Sequence, residues 1–204
     1  MNATQAHGQL RAFRRPIIET REAAALLRTS LSNASRLLRA MSQAGLVRRV
    51  RQGLWALDPE ISPVVAAPYI TSPYPAYVSL WSALAHHDMI EQIPARVYVA
   101  SLHRTQQIPS GLGHYSIHHL ASEVFGGFEG DPEGGYMATA EKAVFDTLYV
   151  RAPRGGRVHF PELSLPEDFR HDDLRGWAAR IPTPRLRTIV QRSIEQTLGL
   201  AAVP

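Results

Sequence analysis

Between Ser32 and Gly45 the apolar residues Ala34, Leu37, Leu38, Met41 and Ala44 recur at spacings of three and four. That spacing predicts an amphipathic helix with one apolar face, and Gly45 suits the position just past its end. The opposite face carries Ser32, Asn33, Ser35, Arg36 and Arg39. Upstream, Thr20 is placed to cap a shorter helix through Glu22, Ala23, Ala24, Ala25, Leu26 and Leu27, with a turn at Thr29 and Ser30 between the two. Downstream, Leu46–Val50 and Leu54–Leu57 read as short strands joined by Arg51, Gln52 and Gly53.

Helix, short turn, polar-faced helix and basic hairpin is the element order of a winged helix-turn-helix. Charge supports that reading. The first 57 residues hold ten arginines against Glu19 and Glu22, a net of +8, whereas the remainder holds twelve cations against sixteen acids, a net of −4. A polar helix face with a hairpin would also suit a protein-docking module. A near absence of acids instead points to a polyanion, because cations that neutralise phosphates release condensed counterions. Ser32, Asn33, Ser35 and Arg36 are candidates for base-edge or phosphate contact, since Asn can read adenine and Arg guanine. Arg39 is assigned to the phosphate backbone, and Arg48, Arg49 and Arg51 to phosphates or an adjacent minor groove.

Composition changes near Asp58 and Pro59. Pro59, Pro63, Pro68, Pro73 and Pro75 follow, and prolines break helices and strands alike, so the junction is expected between about residue 58 and residue 75. The expectation is an α+β protein with a winged helix-turn-helix at 1–58 and a mixed α/β domain at 59–204. In the second part, Tyr77–Ser79 leads into an apolar helical run, Leu80–His86. Strands are expected at Arg96–Ala100 and His114–His118, a flexible loop at Gly126–Gly127 and Gly130–Gly135, and helices at Ala138–Tyr149 and Arg185–Leu198.

The chain lacks cysteine, which excludes disulfides and thiolate metal sites. With no signal-peptide core and no apolar run near the length of a membrane span, it is expected to be soluble and cytoplasmic, without a membrane partner. Nine histidines include His86-His87-Asp88, His114, His118 and His119, but none falls at a ligand spacing that would place two beside a general base, so no metal and no cofactor is expected. Phosphate loops, GxSxG elbows and GxGxxG turns are absent, and the one lysine directly follows Glu141 rather than standing two residues after it as in a Glu-x-Lys nuclease. No catalytic residues are expected.

Lys142 is the only lysine among twenty-two cations. Either the position needs a compact ammonium, or Lys142 and Asp146 form an ordinary exposed pair one helical turn apart; the exposed pair is the favoured reading.

The segments Ala44–Leu57, Tyr77–His87, Glu91–Pro94 and Ala140–Asp146, in that order, resemble the AbiEi-type antitoxins, which are encoded beside nucleotidyltransferase-like toxins in bacterial phage-defence loci. The chain departs from the pattern at Asp88, where members often have glycine. The resemblance implies a winged-helix head that represses its own operon, with its operator DNA as partner. It also implies a second domain that neutralises the cognate toxin, directly or indirectly, with Ser79, Glu141, Lys142 and Asp146 in that domain's motifs. Two other readings stay open: a ligand-sensing regulator, and an enzyme delivered to DNA by its head.

Overall fold

The computed structural model describes residues 2–152, 160 and 163–201. The N-terminal part runs α1 (Ala3–Arg11), β1 (Ile17–Glu19), α2 (Thr20–Leu26), α3 (Leu31–Gln43), β2 (Arg48–Arg51) and β3 (Leu54–Ala56). Its strands form an antiparallel sheet in the order β1-β3-β2.

Helix α3 begins where Ser30 Oγ accepts from the Asn33 amide at 3.2 Å. It ends where Gly45, at φ 70°, donates to Ser42 O at 3.1 Å while Leu46 donates to Met41 O at 2.9 Å. Those two bonds close the last turn as a left-handed glycine cap. Thr20 does not cap α2. Glu19 does, its amide bonded to Glu22 Oε2 at 2.8 Å, and this leaves the Thr20 hydroxyl free to join Trp55 Nε1 at 3.0 Å and Gly53 O at 3.3 Å. Helix α1 and strand β1 add to what the sequence pattern gave: Ala6 and Leu10 of α1 are fully buried.

After the junction come α4 (Pro63–Thr71), β4 (Ala76–Val78), α5 (Leu80–His86), β5 (Val97–Ser101), β6 (Gln106–Ser110), β7 (Gly113–His119), β8 (Phe128–Asp131), β9 (Gly135–Ala138), α6 (Ala140–Arg151), α7 (His171–Ala179) and α8 (Pro184–Ala201). The mixed sheet has the order β6-β7-β5-β4-β9-β8, with β5 parallel to β7 and β4 parallel to β9.

Two expectations are corrected here. The proline-rich stretch contains a helix, α4: Pro63 stands at its first turn, where no amide partner is needed, and burial of Val65, Ala66, Ala67 and Ile70 outweighs the bond lost at Pro68. The glycine-rich segment forms the hairpin β8–β9. Gly130 and Gly135 permit it, because a Cβ at Gly130 would lie 2.0 Å from Gly135 O and Gly135 takes φ 88° against Val64. At the departure from the antitoxin pattern, Asp88 takes φ 54° after α5, the left-handed conformation that glycine adopts freely and Asp tolerates.

The layers follow from strand alternation. Ile18, Trp55 and Leu57 face a core with Leu10, Ala23, Leu38 and Met41. Ile17, Val50, Leu54 and Ala56 face a second core with Ala66, Ala67, Ile70, Val99 and Ile117, so the small sheet is covered on both sides. The other face of the six-stranded sheet carries Tyr77, Ala100 and Ala138 into a third core with α5, α6, α7 and α8. Among the described residues no helix is long and apolar enough to cross a membrane.

Candidate functional site

A groove of about 580 Å³ separates the start of α3 from the β2–β3 hairpin, and Leu31, Ser32, Ser35, Arg39, Arg49 and Trp55 line it. Four of the eight expected contact residues, Ser32, Ser35, Arg39 and Arg49, therefore share one concave surface. Three of them are poised by a neighbour: Arg39 Nη2 donates to Ser35 Oγ at 3.0 Å, and the Arg49 guanidinium lies 5.9 Å from the Trp55 ring centre.

Asn33 and Arg36 form an adjoining pair. Asn33 Nδ2 donates to Thr29 Oγ1 at 2.6 Å, and Arg36 Nη2 donates to Asn33 Oδ1 at 2.7 Å. The amide thus locks the start of α3 and holds Arg36, while keeping one donor hydrogen and one lone pair for a further contact. Arg48 points elsewhere, its Nη1 bonded to Pro59 O at 3.2 Å, and Arg51 stands exposed at the hairpin turn. The two acids of this region are already matched, Glu22 by Arg15 and Glu19 by Arg21. Among the described residues no carboxylate forms a salt bridge with Arg39 or Arg49.

The hairpin is held from outside its own segment. Its pairing slips between Arg49 and Arg51, so Val50 is a bulge residue, and Val50 O accepts from the Gly111 amide at 2.8 Å. A Cβ at Gly111 would stand 2.0 Å from Arg49 O, so only glycine fits in the β6–β7 turn at this contact.

The other expected residues gather far from solvent. Tyr77 and Ser79 lie two apart at the end of β4 and aim at α6, where Tyr77 Oη and Ser79 Oγ donate to Asp146 Oδ2 at 3.0 and 2.7 Å. Lys142 Nζ donates to Asp146 Oδ1 and, at 2.7 Å, to Val124 O. The rings of Phe145 and Trp177, 4.6 and 4.4 Å from Nζ, complete its shell. The side chains of Lys142 and Asp146 are both 0% exposed, which corrects the exposed-pair reading. Helix α6 is enclosed by the sheet on one side and by α5, α7 and α8 on the other, so its charged residues Glu141, Lys142 and Asp146 are interior.

Burial pushes the Lys142 ammonium below its ordinary value and the Asp146 carboxyl above its own, against the attraction between them. Burial and the neighbouring carboxylate together raise the Tyr77 phenol. Glu141 stands outside this network, its Oε1 accepting from the Arg170 amide at 2.9 Å where α7 begins. Tyr77 and Trp177 were not among the expected residues. The Tyr77-Val-Ser79 alternation could have placed Tyr77 beside Ser79, whereas nothing local to Lys142 points to Trp177.

The arrangement can act as an internal polar strut: every oxygen of Asp146 and the head of Lys142 has partners within the protein, which fixes β4 against α6. His87 also serves packing, with Nε2 2.7 Å from Ala138 O. Among the described residues, no cluster of three or more histidines and carboxylates could hold a metal ion. No family model matches this chain, and neither does any curated protein.

Proposed function

We propose that the protein is a winged-helix repressor that binds duplex DNA at its own operator, and that it serves as antitoxin to a nucleotidyltransferase-like toxin encoded beside it. The observation that carries the DNA-binding half is the groove between α3 and the hairpin, where Ser32, Ser35, Arg39 and Arg49 converge in a region of net charge +8. In this reading α3 enters the major groove, its first turns offering Ser and Arg to base edges. The β2–β3 wing lays Arg49 and Arg51 along the phosphates. Asn33 positions Arg36 and retains one donor and one acceptor for a base.

The antitoxin half is supported by the succession of motifs at Tyr77–His87, Glu91–Pro94 and Ala140–Asp146. The buried network of Ser79, Lys142 and Asp146 supplies that region with a rigid frame, and the reading assigns no catalytic step to it.

Titration of the duplex upstream of its own gene against a shuffled duplex, over a salt series, tests the first half. Preference for the upstream duplex with affinity falling steeply in salt is expected, and equal binding to both would overturn it. Growth with the adjacent gene expressed alone and then together with this protein tests the second half. Toxicity relieved by co-expression is expected; toxicity that persists would overturn it.

A further inference from the structure

Leu31 is the first residue of α3 and is 58% exposed. It belongs by spacing to the row Ala34, Leu38 and Met41, which lie three, seven and ten positions further on and are each 0% exposed. The apolar row therefore runs one turn beyond the core it serves and emerges in the groove. There its surroundings are Ser32, Ser35, Arg39 and Arg49, while the groove's aromatic residue, Trp55, is 4% exposed and already packed.

A leucine at this place gains from burial only if what enters the groove brings an apolar group to it. The major-groove edge of duplex DNA presents one such group, the C5-methyl of thymine. The first residues of a recognition helix are the ones that reach base edges, and the Ser30 cap fixes where that first turn stands. Resting on the DNA-binding reading above, we infer that Leu31 is a specificity residue that packs against a thymine methyl, while the neighbouring serines and arginines take hydrogen-bonding and phosphate contacts.

Deoxyuridine removes that methyl and changes nothing else on the base edge. Duplexes enriched by the protein from a random-sequence pool are re-synthesised with each thymine in turn replaced by deoxyuridine, then titrated with wild-type protein, Leu31→Ala and Leu31→Met. At one thymine per binding site the replacement is expected to weaken wild-type binding about fourfold, the value of one buried methyl. Leu31→Ala is expected to bind the thymine and deoxyuridine duplexes equally, and Leu31→Met to keep part of the discrimination. Thermal unfolding of Leu31→Ala at the wild-type temperature checks that only the contact has changed. Sequence-selective binding that is blind to every replacement, or equally sensitive in Leu31→Ala, would overturn the inference while leaving the DNA-binding reading intact. Failure to enrich any sequence would overturn both.

Discussion

Arg39 and Lys142 each bond a side chain four residues away on their own helix, Ser35 in one case and Asp146 in the other. Arg39 stands in an open groove, whereas Lys142 is sealed between a sheet and three helices. Identical spacing thus serves a contact that water can replace and one that it cannot. An exposed pair adds a few tenths of a kcal/mol and leaves its cation available to a partner; an enclosed pair gains little by forming, but each member strands the other if removed. In the proposed function Arg39 serves recognition, whereas Lys142 serves the frame.

The strongest way to break this comparison is Lys142→Met. It leaves Asp146 buried with two hydroxyl donors and no countercharge, and is expected to cost about 3–5 kcal/mol, read as a fall in the thermal midpoint. The double variant Lys142→Met/Asp146→Leu is expected to recover most of that loss. An unchanged midpoint in the single variant would show that water reaches the pair.

Gly111→Ala comes next. It removes no cation, yet places a methyl against Arg49 O, with an expected cost of about 1–3 kcal/mol and weaker duplex binding as the hairpin shifts. Unaltered binding would mean that the hairpin's position does not matter to recognition.

Arg39→Ala and Arg49→Ala sharpen the other side. Each is expected to change stability by no more than about 0.5 kcal/mol. Each that meets a phosphate should flatten the dependence of log affinity on log salt by about 0.9.

The smallest effect concerns Asp131, whose carboxylate accepts from the Gly134 and Glu133 amides at 2.6 and 2.8 Å and is thereby held below the usual range. Because the folded value is depressed, its support for the β8–β9 turn is complete above the ordinary Asp value and is lost as pH falls through the lower folded value. Acid titration of the Gly134 amide resonance should follow that loss in the wild type and show none in Asp131→Ala. Asp146, shifted upward by burial, provides the contrast.

The head was largely legible in the sequence because α3 has one wet face, so its period of 3.6 survives in the residue types, and because Gly53 marks the turn between the two short apolar runs of the hairpin. The last helix was legible for the same reason, and the strands at 97–101 and 113–119 by their β-branched and aromatic residues. Helix α6 has no wet face over Glu141–Leu148, and an element enclosed on every side carries no stripe that would reveal a buried lysine. Prolines and glycines misled where packing decided the outcome: Pro68 lies within a helix that Ala66 and Ala67 anchor, and Gly130 to Gly135 bring two strands together instead of loosening a loop. The contact between Gly111 and the hairpin joins residues far apart in the chain and leaves no local mark in either segment.

Strand β3 carries a consequence of its own. Leu54 and Ala56 belong to one core, Trp55 and Leu57 to another, so a single strand is a party wall between them. Walls of that kind leave no room for a hinge. Melting should accordingly follow one cooperative transition, and a chain cut after Asp58 would present Ala66, Ala67, Ile70 and Leu112 to water as a raw apolar surface. A disturbance felt by the six-stranded sheet is then expected to reach α3 through this shared wall as a tilt of the whole rather than as a movement of the helix alone.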